Sequence, residues 1–317
     1  MTMCIVDRFR TCLLVAGGLG LLLSGPGCAV LTQSQIDEVN RFAAATKQYD
    51  ALPGEPIRQY GSLTRLNKLV ELADKTMTSP EDAASGWEEV NKALSVDRDF
   101  TTLALEADLT LGVLTQYSDG LQALISQDSL DALDKSAAAF GSSFDKAVSQ
   151  YNAEVRRIQG GTDLKPVGGA VAGAVRAAGG VFIRSKQAAY LKRFLTEAAP
   201  IIEATTTATA TLMDHMRSRL DDIQRQRLET NFKVLSVRRR TLAPETVILF
   251  GDTLARINAA QELCDKTKSA AGAYNAAHVK LVSMVDSRHD LKSEVEEITV
   301  LVDQIKAGLK TKKALDK

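Results

Sequence analysis

The chain is poor in most residue types that carry chemistry. Three histidines, four cysteines, one tryptophan and seven prolines are spread over 317 residues, and aromatic residues make up 5%. No HExxH, GxSxG, phosphate-loop, CxxC or calcium-loop pattern occurs, so the familiar routes to a metal, an activated nucleophile or a nucleotide are missing. No catalytic residue, metal or cofactor is assigned, and an enzyme is the weakest class. Charge of either sign is not in surplus, with 39 lysines plus arginines against 39 aspartates plus glutamates. Nucleic-acid partners need a basic excess, so none is expected. Alternating β-branched runs bounded by turn residues are absent too, which removes the signature of strands.

What remains is a chain rich in alanine, leucine and threonine, suited to helices packed through small and aliphatic side chains. The expected fold class is all-α: an elongated antiparallel helical bundle with long coiled-coil-like helices and short connections.

The first residues have a different character. Arg8 and Arg10 precede the apolar run CLLVAGGLGLLLSG. That run is short for a bilayer span and has the form of a secretory signal core. It closes on LSGPGC, ending at Cys28. This segment resembles the lipobox of bacterial lipoproteins, in which a small residue precedes a cysteine that is lipidated and becomes the new N-terminus. Gly27 and Cys28 fit those places, while Gly25 and Pro26 depart from the usual pattern. The resemblance covers residues 1–28 alone. It implies a signal peptide over 1–27, lipid attachment at Cys28, and a place in the bacterial cell envelope, at the outer membrane facing the periplasm where the cell has two membranes. The plainer alternative is a secreted or periplasmic protein cut near Ala29. With Cys4 and Cys12 removed, only Cys264 stands beside Cys28, so an internal disulfide is not expected.

Residues 28–160 read as shorter helices and 161–317 as two long helical arms. Ser34 with Asp37 predicts a capped start for the first helix, which fades near Tyr49 before Pro53 and Pro56. Leu63, Leu66 and Val70 mark a second helix. Ser79-Pro80-Glu81-Asp82 is the clearest helix start in the chain: serine caps, proline suits the first turn, and the acids meet the positive end of the dipole. Ala83, Trp87, Val90 and Leu94 predict its buried stripe, with Trp87 as a core anchor. Asp97 or Asp99 can cap a further helix through Val113, Tyr117 and Leu124. Another seam, from Leu130 to Tyr151, ends at Gly160 and Gly161.

The central arm, residues 165–240, opens on VGGAVAGAVRAAGGVFI. Gly169 and Gly173 form a GxxxG, with Val171 and Val175 beside them. Small residues at this spacing let helices approach closely, in a bundle or in a bilayer. The apolar stretch 167–183 is at the lower limit of spanning length and carries Arg176, so a packed helix is the first reading and conditional membrane insertion the alternative. Helical pore-forming toxins of the haemolysin E type also hold an apolar segment among long helices, a likeness of architecture with no shared motif. Further along, Leu191, Leu195, Ala198, Ile202, Thr205, Thr209, Leu212 and Met216 alternate by four and three straight through Pro200. That pattern predicts a kink or hinge at Pro200 rather than a break. Arg217 to Arg240 is basic, read as a solvated face or a contact for anionic headgroups or an acidic partner.

The last arm carries Phe250, Leu254, Ile257, Cys264, Ala271, Tyr274, His278, Leu281 and Val285 on its seam. His278 and Cys264 are therefore expected inside, the thiol inert. His215 beside Asp214 is expected exposed, and Asp286 with His289 is a single weak ligand pair. The expected role is structural, tethering or partner-binding: membrane lipid through Cys28, a possible protein partner through the helical surface, and possible self-association.

Overall fold

The computed structural model describes residues 31–73, 75, 78–126, 146, 149, 183–239, 241–286 and 295–315. Among them the chain is 93% helical and has no strand, so the all-α class holds. The helices are α1 (Gln33–Tyr49), α2 (Gly54–Ala73), α3 (Pro80–Ile125), α4 (Ile183–Asp222), α5 (Glu229–Arg239), α6 (Pro244–Asp286) and α7 (Glu296–Leu315), with a π-helical turn at Ile223–Leu228 joining α4 to α5.

Local chemistry sets the boundaries. The cap of α1 is Thr32, not Ser34: its hydroxyl accepts from the Gln35 amide at 3.2 Å and the Gln35 side chain accepts from the Thr32 amide at 3.0 Å. Glutamine serves at the third position as well as an acid does. Ser79 caps α3 as expected, with Asp82 reaching back to the Ser79 amide at 3.0 Å. The two helices expected on either side of Asp97 are one helix of 46 residues. Asp97 caps nothing; its carboxylate takes the Arg65 guanidinium at 2.7 Å, and a cap residue inside a helix is no barrier once its side chain finds another partner.

Pairings fix the topology. Asp214 meets Lys268 and Arg217 meets Asp265, so α4 and α6 run antiparallel. Arg58 meets Asp108 and Arg65 meets Asp97, which sets α2 against α3 in the same sense. The Gln35 side chain donates to the Met284 carbonyl at 2.9 Å, and Thr46 donates to the Tyr274 hydroxyl at 3.1 Å. Thus α1, then α2, climb along α6 in the opposite direction. α7 returns beside α6, with Thr311 donating to Glu262. The result is a long antiparallel bundle whose spine, α6, has 43 residues, about 65 Å at ~1.5 Å per residue.

Two apolar clusters fill it. One gathers α1, the second half of α3, the start of α4, the second half of α6 and α7. The other gathers α2, the middle of α3, the end of α4 with its π-turn, α5 and the start of α6. A polar layer lies at the joint between α1 and α2. There Arg58 donates to Glu55 and Asp108, Gln59 donates to Glu55, and Arg256 reaches Gln59. Asp50 accepts from Thr115 at 2.9 Å, and burial lifts its carboxyl above the ordinary range.

The seam expected for the central arm is the observed one. Leu191, Leu195, Ala198, Ile202, Thr205, Thr209 and Met216 are buried, and α4 runs unbroken through Pro200, which faces solvent. The threonines, poor helix formers, bond back to the preceding turn: Thr206 to the Ile202 carbonyl, Thr209 to that of Thr205. In this way the hydroxyls of Thr206 and Thr209 are satisfied without leaving the helix, whereas the buried Thr205 hydroxyl has no partner.

Trp87 is a correction. It is 67% exposed and Leu94 is 49% exposed, whereas Gly86 and Ala93 face inward. The buried line of α3 continues through Ala104, Ala107 and Leu111 into the expected Val113, Tyr117 and Leu124, so the one-residue displacement belongs to the stretch around Trp87 and Leu94. A stripe drawn through the large residues puts them inside, but the buried positions of this stretch are the small ones, Gly86 and Ala93; large side chains of α3 meet α2 further on, where Phe100 lies against Gly61. Leu254 is also a correction: it is exposed, and Thr253, one residue back, is the buried member.

Candidate functional site

The bundle has two distinct ends. Thr32 opens α1 beside Met284, and Ser118 donates to the Ala43 carbonyl further along α3. Tyr117 stacks on Phe194 with centroids 5.8 Å apart, so α4 begins level with the start of α1 and α3 finishes near it. This end begins at Leu31 and Thr32, the first described residues. At the opposite end lie the α2–α3 turn and the α5–α6 turn. Leu66, Asn67 and Val70 of α2 share a shallow apolar notch there with Leu228, Leu249, Phe250 and Thr253.

Inside the first cluster is the most concentrated polar chemistry of the described residues. Tyr49, Tyr117, Tyr274 and His278 are all fully buried around Phe42. His278 Nε2 lies 2.8 Å from the Tyr117 hydroxyl, and its Nδ1 has no partner. Burial pushes the imidazole down to about 4 and raises the hydroxyls of all three tyrosines. A neutral imidazole sealed among rings has no route to a substrate, so the arrangement holds a core in register and does not form an open catalytic centre.

The other expected residues separate cleanly. Cys264 is buried, and burial pushes its thiol up to about 12, far from nucleophilic. His215 is exposed, but Asp214 is held by Lys268, not by that imidazole. Cys28, Gly169, Val171, Gly173, Val175, Arg240 and His289 lie outside the described residues. Among the described residues no group of three or more His, Cys, Asp or Glu could hold a metal, and no helix is long and apolar enough to cross a membrane.

Sequence periodicity missed the surface of the far end. Val237 is 80% exposed, Ile248 61% and Val247 47%. Phe232 and Leu249 are partly open beside them. Lys233, Arg238 and Arg239 of α5 are exposed as well. The signal was present as the run VILF just after Pro244, because four consecutive apolar residues cannot all face inward on one helix.

No family model, no curated protein and no solved structure matches this chain.

Proposed function

We propose that the chain is a lipid-anchored extracytoplasmic helical protein with a structural, tethering or partner-binding role and no catalysis. One observation supports the reading best. The start of α1, close behind Cys28, lies at one end of an elongated bundle, and more exposed apolar residues lie toward the other end, among them Val237, Val247 and Ile248, than toward this one, where Val279 and Val300 are exposed. A lipid at Cys28 then holds the bundle by one end and leaves the far end free to meet a partner. Membrane fractionation of wild type and Cys28→Ser tests it: the variant should be unprocessed or lost from the membrane fraction, and unchanged retention refutes the anchor.

A second reading is a membrane-active protein, of the pore-forming kind, that inserts residues 167–183. It draws support from the placement of α3 and α4. The end of α3 and the start of α4, which flank residues 127–182, lie toward the same end of the bundle as Thr32. A segment entering from there would meet the bilayer that holds Cys28. Liposome leakage that disappears with Val171→Asp and Val175→Asp supports insertion; no leakage by wild type removes it.

A further inference from the structure

We infer that the outer face of α3 is a self-association surface, its occupant the same face of a second copy of this chain running the opposite way. Trp87, Leu94 and Leu105 are all large, apolar and about half exposed or more, the last at 55%. With Gly112 they fall within about 20° of one line along the helix, at ~100° per residue. Arg98 is the one charged residue within about 40° of that line between Trp87 and Gly112. A strip of helix that faces only water carries charged and polar residues along its length. Three large apolar side chains in one exposed row have instead the composition of a contact surface.

The spacing of the row selects the occupant. From Trp87 through Leu94 and Leu105 to Gly112 the steps are seven, eleven and seven residues, so the row reads the same from either end. Two copies of α3 packed antiparallel about a two-fold axis, with Leu94 of each against Leu105 of the other, therefore set each Trp87 over the other copy's Gly112. A Cβ on Gly112 would meet nothing within 4 Å in its own chain, so the glycine leaves a hole on the helix face that an indole can enter as a knob. Arg98 then lies opposite Thr101 of the second copy and within about 3 Å of rise of its exposed Asp99. A parallel pair does worse: it stacks Trp87 on Trp87, sets Arg98 against Arg98 and leaves the two glycines facing each other. An anionic bilayer also fits poorly, because a helix face that enters one is flanked by lysine and arginine, whereas the exposed Glu88 and Asp99 flank this row. Lipids at the two Cys28 residues would leave such a dimer at opposite ends. The inference does not need them: association is read from α3 variants, and the anchor from Cys28→Ser.

Analytical ultracentrifugation and tryptophan fluorescence of the full chain in detergent test the proposal. Contact through one helix face is at the small end of specific interfaces, so dimerisation in the micromolar range is expected. Trp87 is the only tryptophan, and its emission should move to shorter wavelength as protein concentration rises and dimer forms. Leu94→Asp with Leu105→Asp, both on the surface, should keep full helicity and weaken association by about tenfold or more. Gly112→Leu separates this register from a merely sticky face. It adds exposed apolar surface, which tightens a non-specific contact, but here the leucine takes the place of the indole and should weaken the dimer by about tenfold or more. A chain that stays monomeric throughout the micromolar range overturns the proposal. So does a dimer indifferent to the two aspartates, or one that Gly112→Leu does not weaken. An emission shift that follows phosphatidylglycerol vesicles and not protein concentration overturns it as well, and gives the face to lipid.

Discussion

His278 Nε2 lies 2.8 Å from the Tyr117 hydroxyl, joining α6 to α3 across 161 residues of chain. The bond is sealed from water, and the other ring nitrogen has no partner. Removing one member leaves a buried polar atom stranded, which costs about 1–3 kcal/mol; removing both leaves none of the pair. Tyr117→Phe and His278→Leu should each lower the urea midpoint. The double variant should lose less than the sum of the two. Additive losses would show that the bond contributes nothing of its own.

The same pair makes stability depend on pH. Burial depresses the folded imidazole to about 4 from its ordinary 6.5. The unfolded chain therefore takes up a proton near pH 6.5, and the folded bundle resists until about 4. The stabilisation is complete above pH 6.5 and is lost as pH falls through that window, by at most about 3 kcal/mol. Denaturation midpoints at pH 7 and pH 4.5 should differ more for wild type than for His278→Leu. Equal differences would place the acid sensitivity elsewhere.

Trp87 gives the third prediction. It touches solvent over most of its surface, so Trp87→Ala should change folding stability by no more than about 0.5 kcal/mol. Ala93, fully buried six residues further on, has no such room, and Ala93→Leu should cost about 1–3 kcal/mol. Thermal melts of the two variants decide between this register and one with tryptophan inside, for which the order reverses.

These two residues also show what could be read from the sequence. Seams made of large side chains were legible: Leu191 to Met216 and Phe250 to Val285 repeat by three and four, and nearly every member is buried. The strong capping signal at Ser79 located a helix start to the residue. Seams made of small residues were not legible, because glycine and alanine such as Gly86 and Ala93 add too little apolar side chain to mark a helix face by periodicity. The inner placement of His278 and Cys264 was legible from periodicity alone. The Tyr117 partner was not, since it required the pairing of α3 with α6. The exposed far end was missed for a similar reason: a run such as VILF tells that some member faces outward, but only the neighbours of α6 decide which.

Close approach can be tested at two glycines that differ in what they meet. A Cβ on Gly61 would fall 2.5 Å from Cβ of Phe100, an atom fixed to its backbone. A Cβ on Gly308 would fall 2.9 Å from Cδ1 of Leu52, the free end of a side chain. The leucine can change rotamer, whereas Phe100 can yield only if α3 moves. Alanine also favours a helix over glycine by about 1 kcal/mol, which offsets part of any strain. Gly61→Ala should therefore destabilise by about 1–3 kcal/mol, and Gly308→Ala should remain within about 1 kcal/mol of wild type. Urea denaturation of both variants measures the contrast. If Gly61→Ala were neutral and Gly308→Ala costly, α2 and α3 would not be in the tight contact seen at Phe100, and the register of α3 against α2 would have to be reassigned.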